Sequence, residues 1–212
     1  MVRLLRWLFF ALLARAVVLL VLGLNVRGRS SLPRKGPALV VANHNSHLDT
    51  LVLMTLLPLE ELPRIHPVAA ADYFLRNPLL AWFATRIVGI IPLPRRPARG
   101  EDPLAPCHRA LERGEILILF PEGTRGEPEQ RSALKGGVAR LAVAHPAVPV
   151  VPVFLHGLGK ALPKGEGLLV PFFCDVHVGE PLRGITDRRA FMRELERAMS
   201  RLEGEARPSS WE

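Results

Sequence analysis

The chain has 212 residues and a mass of 23.5 kDa, which is the size of one α/β domain and enough to bury a sizeable core. Hydrophobic residues make up 49% and charged residues 23%, a balance that excludes a disordered or low-complexity chain. The formal net charge of +8 favours an anionic partner, either a phosphate-bearing substrate or a membrane surface. Two isolated cysteines, Cys107 and Cys174, indicate no disulfide framework.

Residues 7–26 form an apolar run, WLFFALLARAVVLLVLGLNV, in which Arg15 is the one charged residue. At about 1.5 Å per residue this run just matches about 30 Å of hydrocarbon, and basic residues flank it on both sides. Two membrane arrangements are compatible with the run: a helix that spans the bilayer and leaves the domain in the cytoplasm, or a helix dipped into one leaflet. A helix buried in the domain's own core is the alternative.

We therefore predict a membrane-associated helical segment over residues 1–27, an α/β domain over 28–207 and a loose tail over 208–212. The segment predicts a location at the cytoplasmic face of the cell membrane. Because the apolar run is separate in sequence from the polar motifs described below, we expect removal of residues 1–25 to release the domain from membranes with its chemistry intact.

Strands and helices alternate along the rest of the chain. Short apolar runs predict strands over 38–42, 68–71, 89–93, 116–120, 148–155 and 172–178. Intervening segments predict helices over 49–57, 78–88, 102–113, 136–145 and 186–203. This alternation predicts a single α/β domain with a mostly parallel sheet flanked by helices, preceded by the N-terminal membrane-associated helix.

The segment Asn43-His44-Asn45-Ser46-His47-Leu48-Asp49 follows the first of these strands, so it lies at a carboxyl end, where open α/β sheets bind ligands. His44 and Asp49 would point about 140° apart on one regular helix, so they meet only if the chain turns between them. Ser46 and Asp49 form a capping-box pattern, which supplies that turn. A carboxylate on one imidazole nitrogen leaves the other as a general base, and the implied nucleophile is a substrate hydroxyl.

Other interpretations of this segment stay open. Asp49 can be a capping residue alone, with His44 a polar residue at a strand end. His47 is a second candidate base, but it lies on the opposite side of an early helical turn from Asp49, so His44 is favoured. The chain lacks G-x-S-x-G, C-x-x-C and H-E-x-x-H patterns, so neither a hydrolase nucleophile elbow nor a metal site is predicted.

A second polar segment, Phe120-Pro121-Glu122-Gly123-Thr124-Arg125, also follows a predicted strand. Gly123 permits a tight turn whose backbone N–H groups can face an anion. Thr124 adds a hydroxyl, and Arg125 adds a guanidinium that matches phosphate geometry. Glu122 can hold that guanidinium or hydrogen-bond a substrate hydroxyl. The alternative is an ordinary surface turn with a solvated Glu122–Arg125 pair.

Together these segments resemble the glycerolipid acyltransferase family, which is marked by N-H-x-x-x-x-D followed later by F-P-E-G-T-R. Further blocks match in order: Gly89-Ile90-Ile91-Pro92-Leu93-Pro94-Arg95, Lys135-Gly136 and Val148-Pro149-Val150-Val151-Pro152-Val153. The resemblance runs from about Val26 to Pro181. One departure is Ala69-Ala70-Ala71-Asp72-Tyr73, where many members are lysine-rich, and it removes positive charge near the expected acceptor pocket.

The resemblance implies a role for each matching residue. It makes His44 the general base on the acceptor hydroxyl, oriented by Asp49. The basic residues that it places on the acceptor's phosphate are Arg125, Arg95 and Lys135. In the turn, Glu122 positions the glycerol part while the chain is shaped by Gly123 and Thr124.

The activity implied by the resemblance is transfer of a fatty acyl group to the sn-2 hydroxyl of 1-acyl-glycerol-3-phosphate, giving phosphatidate. The donor is a thioester co-substrate, either acyl-CoA or acyl carrier protein, and no acyl-enzyme, cofactor or metal is implied. Membrane lipids are expected partners and nucleic acid is not. Another lysophospholipid or a lyso-aminolipid stays open as the acceptor, and a non-catalytic lipid-binding protein is the remaining alternative.

Overall fold

The structure is a computed structural model that describes residues 1–18, 23–46, 48–74, 77–98, 100–123, 133–158 and 173–206. In this part of the chain seven strands form one sheet. They are β1 (Gly23–Arg27), β2 (Ala38–Ala42), β3 (Ile65–Ala70), β4 (Ile91–Leu93), β5 (Ile116–Leu119), β6 (Val150–His156) and β7 (Phe173–Val178). Their spatial order is β1-β7-β6-β2-β5-β3-β4.

Helices connect and cover the strands. The α-helices are α1 (Val2–Leu8), α2 (Leu48–Leu56), α3 (Ala71–Phe74), α4 (Pro78–Trp82), α5 (Ala105–Glu112), α6 (Gly137–Ala144) and α7 (Arg188–Ala206). Two of them continue as π-helix, α1 into Phe9–Ala14 and α4 into Phe83–Val88. Short 3-10 segments occupy Arg29–Ser31 and Leu59–Arg64.

The predicted fold class, an α/β domain with a mostly parallel sheet, is confirmed. Strand β2 lies at the centre between β5 and β6 and is parallel to both, while β6 and β7 are antiparallel. All residues of β2 and β5 are buried, as their uninterrupted apolar sequences require, because helices cover both faces of the sheet. One core includes residues of α2 and the N-terminal helix, and the other includes residues of α5, α6 and α7.

The N-terminal helix belongs to the first of these cores. Phe10, Ala14 and Val18 are each 2% exposed or less and pack with residues of β2 and α2. Phe9, on the same helix, lines a cavity of the domain that is described below. The helix is therefore packed on one side into the domain's own core, and its predicted membrane association stays a prediction.

Arg6 fixes this helix to the domain. Its Nη2 atom donates to the carbonyl oxygens of Ile65, at 2.8 Å, and Val88, at 3.1 Å. Its guanidinium lies directly against Gly89, where a Cβ atom would overlap it. Burial lowers the pKa of Arg6 to about 10, so the side chain remains positively charged at neutral pH.

The segment boundary predicted at residue 27 needs correction. Gly23–Arg27 is strand β1, which pairs in parallel with β7, so the last part of the predicted helical segment belongs to the sheet. Removing residues 1–25 would take three apolar side chains from the core and most of this strand. We therefore reverse the earlier expectation and expect the truncated chain to be insoluble. The predicted tail over 208–212 lies outside the described residues.

The outer side of the N-terminal helix is apolar and exposed, and so is the outer side of α4 and its π-helical continuation. We call these exposed side chains the apolar platform: Leu4, Leu5, Trp7, Leu8, Leu12, Leu13, Leu79, Leu80, Trp82 and Phe83. The two helices meet where the rings of Phe9 and Phe83 pack edge to face, 5.4 Å between centroids. Within the described ranges, no helix combines the length and the apolar character needed to cross a bilayer.

Candidate active site

The site begins where β2 ends. Asn43 is buried, and its side-chain amide donates to the carbonyl oxygen of Leu155 at 2.9 Å and accepts from the Leu155 N–H at 2.7 Å. Through these two hydrogen bonds the Asn43 side chain extends the pairing of β2 with β6 beyond the last backbone pair. The backbone of the next residue, His44, is thereby held at the carboxyl end of the central strand.

Asp49 organises the turn between β2 and α2. This fully buried carboxylate accepts three hydrogen bonds on one oxygen, Oδ2: from the N–H groups of Asn45 at 2.7 Å and Ser46 at 2.8 Å, and from Nδ1 of His44 at 2.9 Å. The Oγ atom of Ser46 accepts from the N–H of Leu48 at the start of the helix. The predicted capping turn is confirmed, and it brings His44 back onto Asp49 as expected.

This contact assigns the tautomer of His44. Because the carboxylate of Asp49 acts as an acceptor, Nδ1 carries the proton and Nε2 keeps a lone pair. The ring is also stacked on Phe120, with centroids 4.2 Å apart and an interplanar angle of 23°. An imidazole fixed in this way, with its side chain 20% exposed, can accept a proton from a bound hydroxyl.

Glu122 lies behind the histidine. It is buried, and its Oε1 atom accepts a hydrogen bond from the backbone N–H of His44 at 3.2 Å. The second polar segment therefore supports the first directly. This contact with His44 is observed, whereas the contact with the acceptor's glycerol expected of Glu122 stays a prediction.

The turn after β5 is closed by Gly123, whose N–H donates to the carbonyl oxygen of Phe120 at 3.0 Å and whose φ is +74°. The predicted tight turn is thus confirmed. The Lys135 side chain lies on the face of Gly123 where a Cβ atom would be, and the Lys135 N–H donates to the carbonyl oxygen of Pro121 at 2.8 Å. Thr124 and Arg125, and also the rival base His47, lie outside the described residues, so their predicted roles stay predictions.

A cavity of about 900 Å³ opens beside His44. Its wall extends to both sides of the sheet, toward Phe9, Leu51, Phe83 and Ile90 on one side and toward Pro103, Leu104, Val138 and Leu141 on the other. The walls are mainly aliphatic and aromatic, and the space suits a hydrocarbon chain.

Two cationic side chains are among the described residues that line this cavity, Arg95 and Lys135, and both residues are exposed. We call them the cavity rim. The Nε atom of Arg95 lies 3.1 Å from Oδ1 of Asp72, and these side chains are 54% and 48% exposed. The cavity thus combines the imidazole of His44, apolar walls and cations, which fits an amphiphile with an anionic head.

The structure brings most predicted site residues together. His44, Gly123, Arg95 and Lys135 line one cavity, and Asp49 is hydrogen-bonded to His44. Sequence reasoning assigned no role to Asn43 or Phe120. Asn43 anchors the backbone before His44 to Leu155 of β6, and Phe120, at the end of β5, stacks on the His44 ring. A polar residue directly after a buried strand was the available signal for Asn43, but its partner, Leu155, is distant in sequence.

Comparisons with known proteins place this site in context. A family model described as Acyltransferase matches residues 23–156. The chloroplastic 1-acyl-sn-glycerol-3-phosphate acyltransferase LPAT1 of Arabidopsis thaliana is 34% identical over 164 residues, covering 76% of this chain and 44% of that protein. The human 1-acyl-sn-glycerol-3-phosphate acyltransferase alpha is 29% identical over 160 residues, covering 74% of this chain and 54% of that protein. The chain spans about half the length of these curated relatives.

The fold has a solved counterpart. The crystal structure of the 1-acyl-sn-glycerophosphate acyltransferase PlsC from Thermotoga maritima superposes with a TM-score of 0.75 at 23% sequence identity. The match covers 98% of this chain and 81% of that one, so the two share their fold over nearly the whole of this chain, including the helices before the sheet.

Proposed function

Because the chain belongs to the acyltransferase family, we propose that it transfers a fatty acyl group from an acyl thioester to a lysophospholipid hydroxyl. The first acceptor we propose is 1-acyl-glycerol-3-phosphate, acylated at its sn-2 hydroxyl to give phosphatidate, since the plant and animal relatives are named for that acceptor. The observation that carries the proposal is the His44–Asp49 pair, which lies beside a large apolar cavity with a cationic rim.

The chemistry follows from the tautomer. Nε2 of His44 accepts the proton of the acceptor hydroxyl while that oxygen attacks the thioester carbonyl carbon. The negatively charged tetrahedral intermediate then collapses, the C–S bond breaks, and the leaving thiolate takes the proton from the imidazolium. Asp49 stabilises the imidazolium between these two transfers through its contact with Nδ1. Both chemical changes occur at substrate atoms, so no acyl-enzyme is required, and acyl-CoA and acyl carrier protein are equivalent donors for this step.

The cations of the cavity rim are the proposed contacts for the acceptor's phosphate. Arg95 can offer two parallel N–H donors to a phosphate, and Lys135 can offer a compact point charge. Arg125 would add a second guanidinium from the turn after β5. The apolar walls, including Leu51, Ile90 and Leu141, would take up acyl chains.

We also propose that the apolar platform lies in the headgroup region of the cytoplasmic leaflet of the cell membrane, with the sheet on the cytoplasmic side of it. The contiguous exposed leucine, tryptophan and phenylalanine side chains support this placement, because such a surface marks an interaction site. Leu80 and Phe83 belong to the platform and also line the cavity, so a lipid could pass between membrane and cavity without crossing water.

The activity is tested with the purified full chain, 1-acyl-glycerol-3-phosphate and acyl-CoA, and the product is identified by mass spectrometry. Formation of phosphatidate by the wild-type chain, and not by His44→Ala, is the expected result. If the chain acylates only other lysophospholipids, one of those is the acceptor in place of 1-acyl-glycerol-3-phosphate. If it acylates no acceptor with any thioester donor, a lipid-binding protein is favoured. The same assay with acyl carrier protein thioesters decides between donors.

The membrane placement is tested by sedimentation with anionic liposomes. Leu13→Glu and Trp82→Glu put charges on the platform and should weaken binding strongly. Gly204→Glu is the matched control, because it adds the same charge on α7 where a side chain meets open space. Equal binding by the three variants and wild type would contradict the placement.

A further inference from the structure

The partner of Arg95 has a consequence for substrate choice. Strands β3 and β4 are parallel, with Ala70 opposite Leu93. Asp72 and Arg95 each lie two residues beyond these paired positions, so the register of the two strands brings their side chains together. The 3.1 Å contact between Arg95 Nε and Asp72 Oδ1 is thus a product of the fold at the edge of the cavity.

The contact changes the charge available to a headgroup. Arg95 and Lys135 are the cations among the described lining residues, and the Asp72 carboxylate lies directly against one of them. A phosphomonoester carries about −1.5 to −2 charges at neutral pH, whereas a phosphodiester carries one. A fixed carboxylate beside the binding guanidinium therefore repels a phosphomonoester more than a phosphodiester.

The contact also leaves part of the guanidinium available. Asp72 engages the Nε side of Arg95, so the edge formed by the two terminal nitrogens can still face a ligand. That edge can form two parallel hydrogen bonds to one phosphate group of either kind. Asp72 thus reduces the positive charge at the rim without removing the donor geometry.

We propose that Asp72 is a specificity-determining residue that shifts acceptor preference from phosphomonoester toward phosphodiester lysophospholipids. This inference rests on the proposed function, acyl transfer to a lysophospholipid. It assigns Asp72 to headgroup discrimination and not to the acyl-transfer step, which takes place at His44.

The test compares Asp72→Asn with wild type, because asparagine keeps an oxygen acceptor for Arg95 Nε and removes only the charge. KM and kcat are measured for 1-acyl-glycerol-3-phosphate and for lysophosphatidylglycerol with the same acyl chain, in neutral detergent micelles. The KM for the phosphomonoester should fall about threefold to fivefold, the upper part of the range measured for exposed ion pairs, with a smaller fall for the phosphodiester and kcat unchanged for both. The difference between the two acceptors in this fall of KM should become smaller at high salt, because salt screens exposed charges.

Two controls make the result specific. Asp187→Asn makes the same charge change at an exposed position on a different element, where asparagine can still accept from the Ala190 N–H, and should leave both KM values unchanged. On an Arg95→Gln background, Asp72→Asn should still lower the KM of the phosphomonoester more than that of the phosphodiester, because the carboxylate repels the headgroup charge directly and not through Arg95.

An unchanged ratio of the two KM values, in an enzyme that turns over, overturns the inference and leaves the proposed function intact. A rise of both KM values by the same factor also overturns it and makes Asp72 a residue that merely positions Arg95. A wild-type chain that acylates no lysophospholipid with any thioester donor contradicts the proposed function, and the inference falls with it.

Discussion

The turn that holds His44 against Asp49 and the cavity rim lie at the same end of the sheet but are built differently. In the turn, Asp49 is fully buried and receives three hydrogen bonds from groups within five residues of it. At the rim, Arg95 and Lys135 are exposed and come from different parts of the chain. A rigid local turn suits a proton transfer that tolerates little displacement, whereas an exposed rim can be altered to suit other headgroups.

If the turn carries the chemistry, the largest effect should come from His44→Ala. We expect kcat to fall by about 10²–10⁴-fold with the fold intact, since that is the usual value of a general base. Circular dichroism and the thermal midpoint serve as the control for folding. More than a tenth of the wild-type rate would show that His44 is not the base, and His47 would be tested next.

Asp49→Asn should lower kcat less than His44→Ala does, by roughly tenfold to a hundredfold. The Oδ2 atom takes all three observed hydrogen bonds and Oδ1 has no hydrogen-bond partner among the residues that the structure describes, so the amide oxygen can replace Oδ2 and retain the His44 tautomer. The imidazolium then lacks its negative partner, while the KM of the acceptor stays nearly constant. A loss equal to that of His44→Ala would mean that the amide misorients the ring.

Substitutions at the cavity rim should change the acceptor KM and leave kcat nearly constant, whereas substitutions at the turn change kcat. Arg95→Gln and Lys135→Met should each raise the acceptor KM about threefold to tenfold, with kcat nearly unchanged, because exposed charge pairs contribute modestly. Methionine preserves the stem that lies against Gly123. Should the donor KM rise instead, the rim would bind the phosphates of coenzyme A.

Gly123→Ala connects the two regions and should have the smallest effect. Its positive φ costs alanine about 1–2 kcal/mol, and the new Cβ would displace the Lys135 side chain. We expect a lower thermal midpoint and an acceptor KM raised by a few-fold. Gly114→Ala is the matched control, with a φ of +76° and open space around the site, so it should lower stability without changing KM.

The turn that holds His44 against Asp49 could be predicted because the residues that form it are close together in the sequence. An apolar strand, a capping pattern and a histidine–carboxylate pair lie within a dozen residues, and the apolar runs of β2 and β5 indicate buried central strands. The Asp72–Arg95 contact could not be predicted in this way, because it depends on the register of β3 against β4. Strand β1 was missed because most of it lies at the end of the apolar run over residues 7–26, which was assigned to the N-terminal helix.

For the N-terminal helix, the sequence did not show which side is buried, and the reason is more specific. Its buried residues, Arg6, Phe10, Ala14 and Val18, recur every four positions, not at the 3.6-residue period used to judge the sequence. The π-helical turns over Phe9–Ala14 widen the helix, so residues four apart stay on one face. A test for a period of four would have identified this buried stripe.

The pairing of β1 with β7 has a consequence for the way in which the protein is made. Strand β1 finds its partner only in Phe173–Val178, which follows the five other strands of the sheet in the chain. Until then the central strands can assemble with the N-terminal helix packed against them, but the edge of β6 stays open. Pairing between such distant segments is slow to form, so the sheet is completed only after β7 has been synthesised.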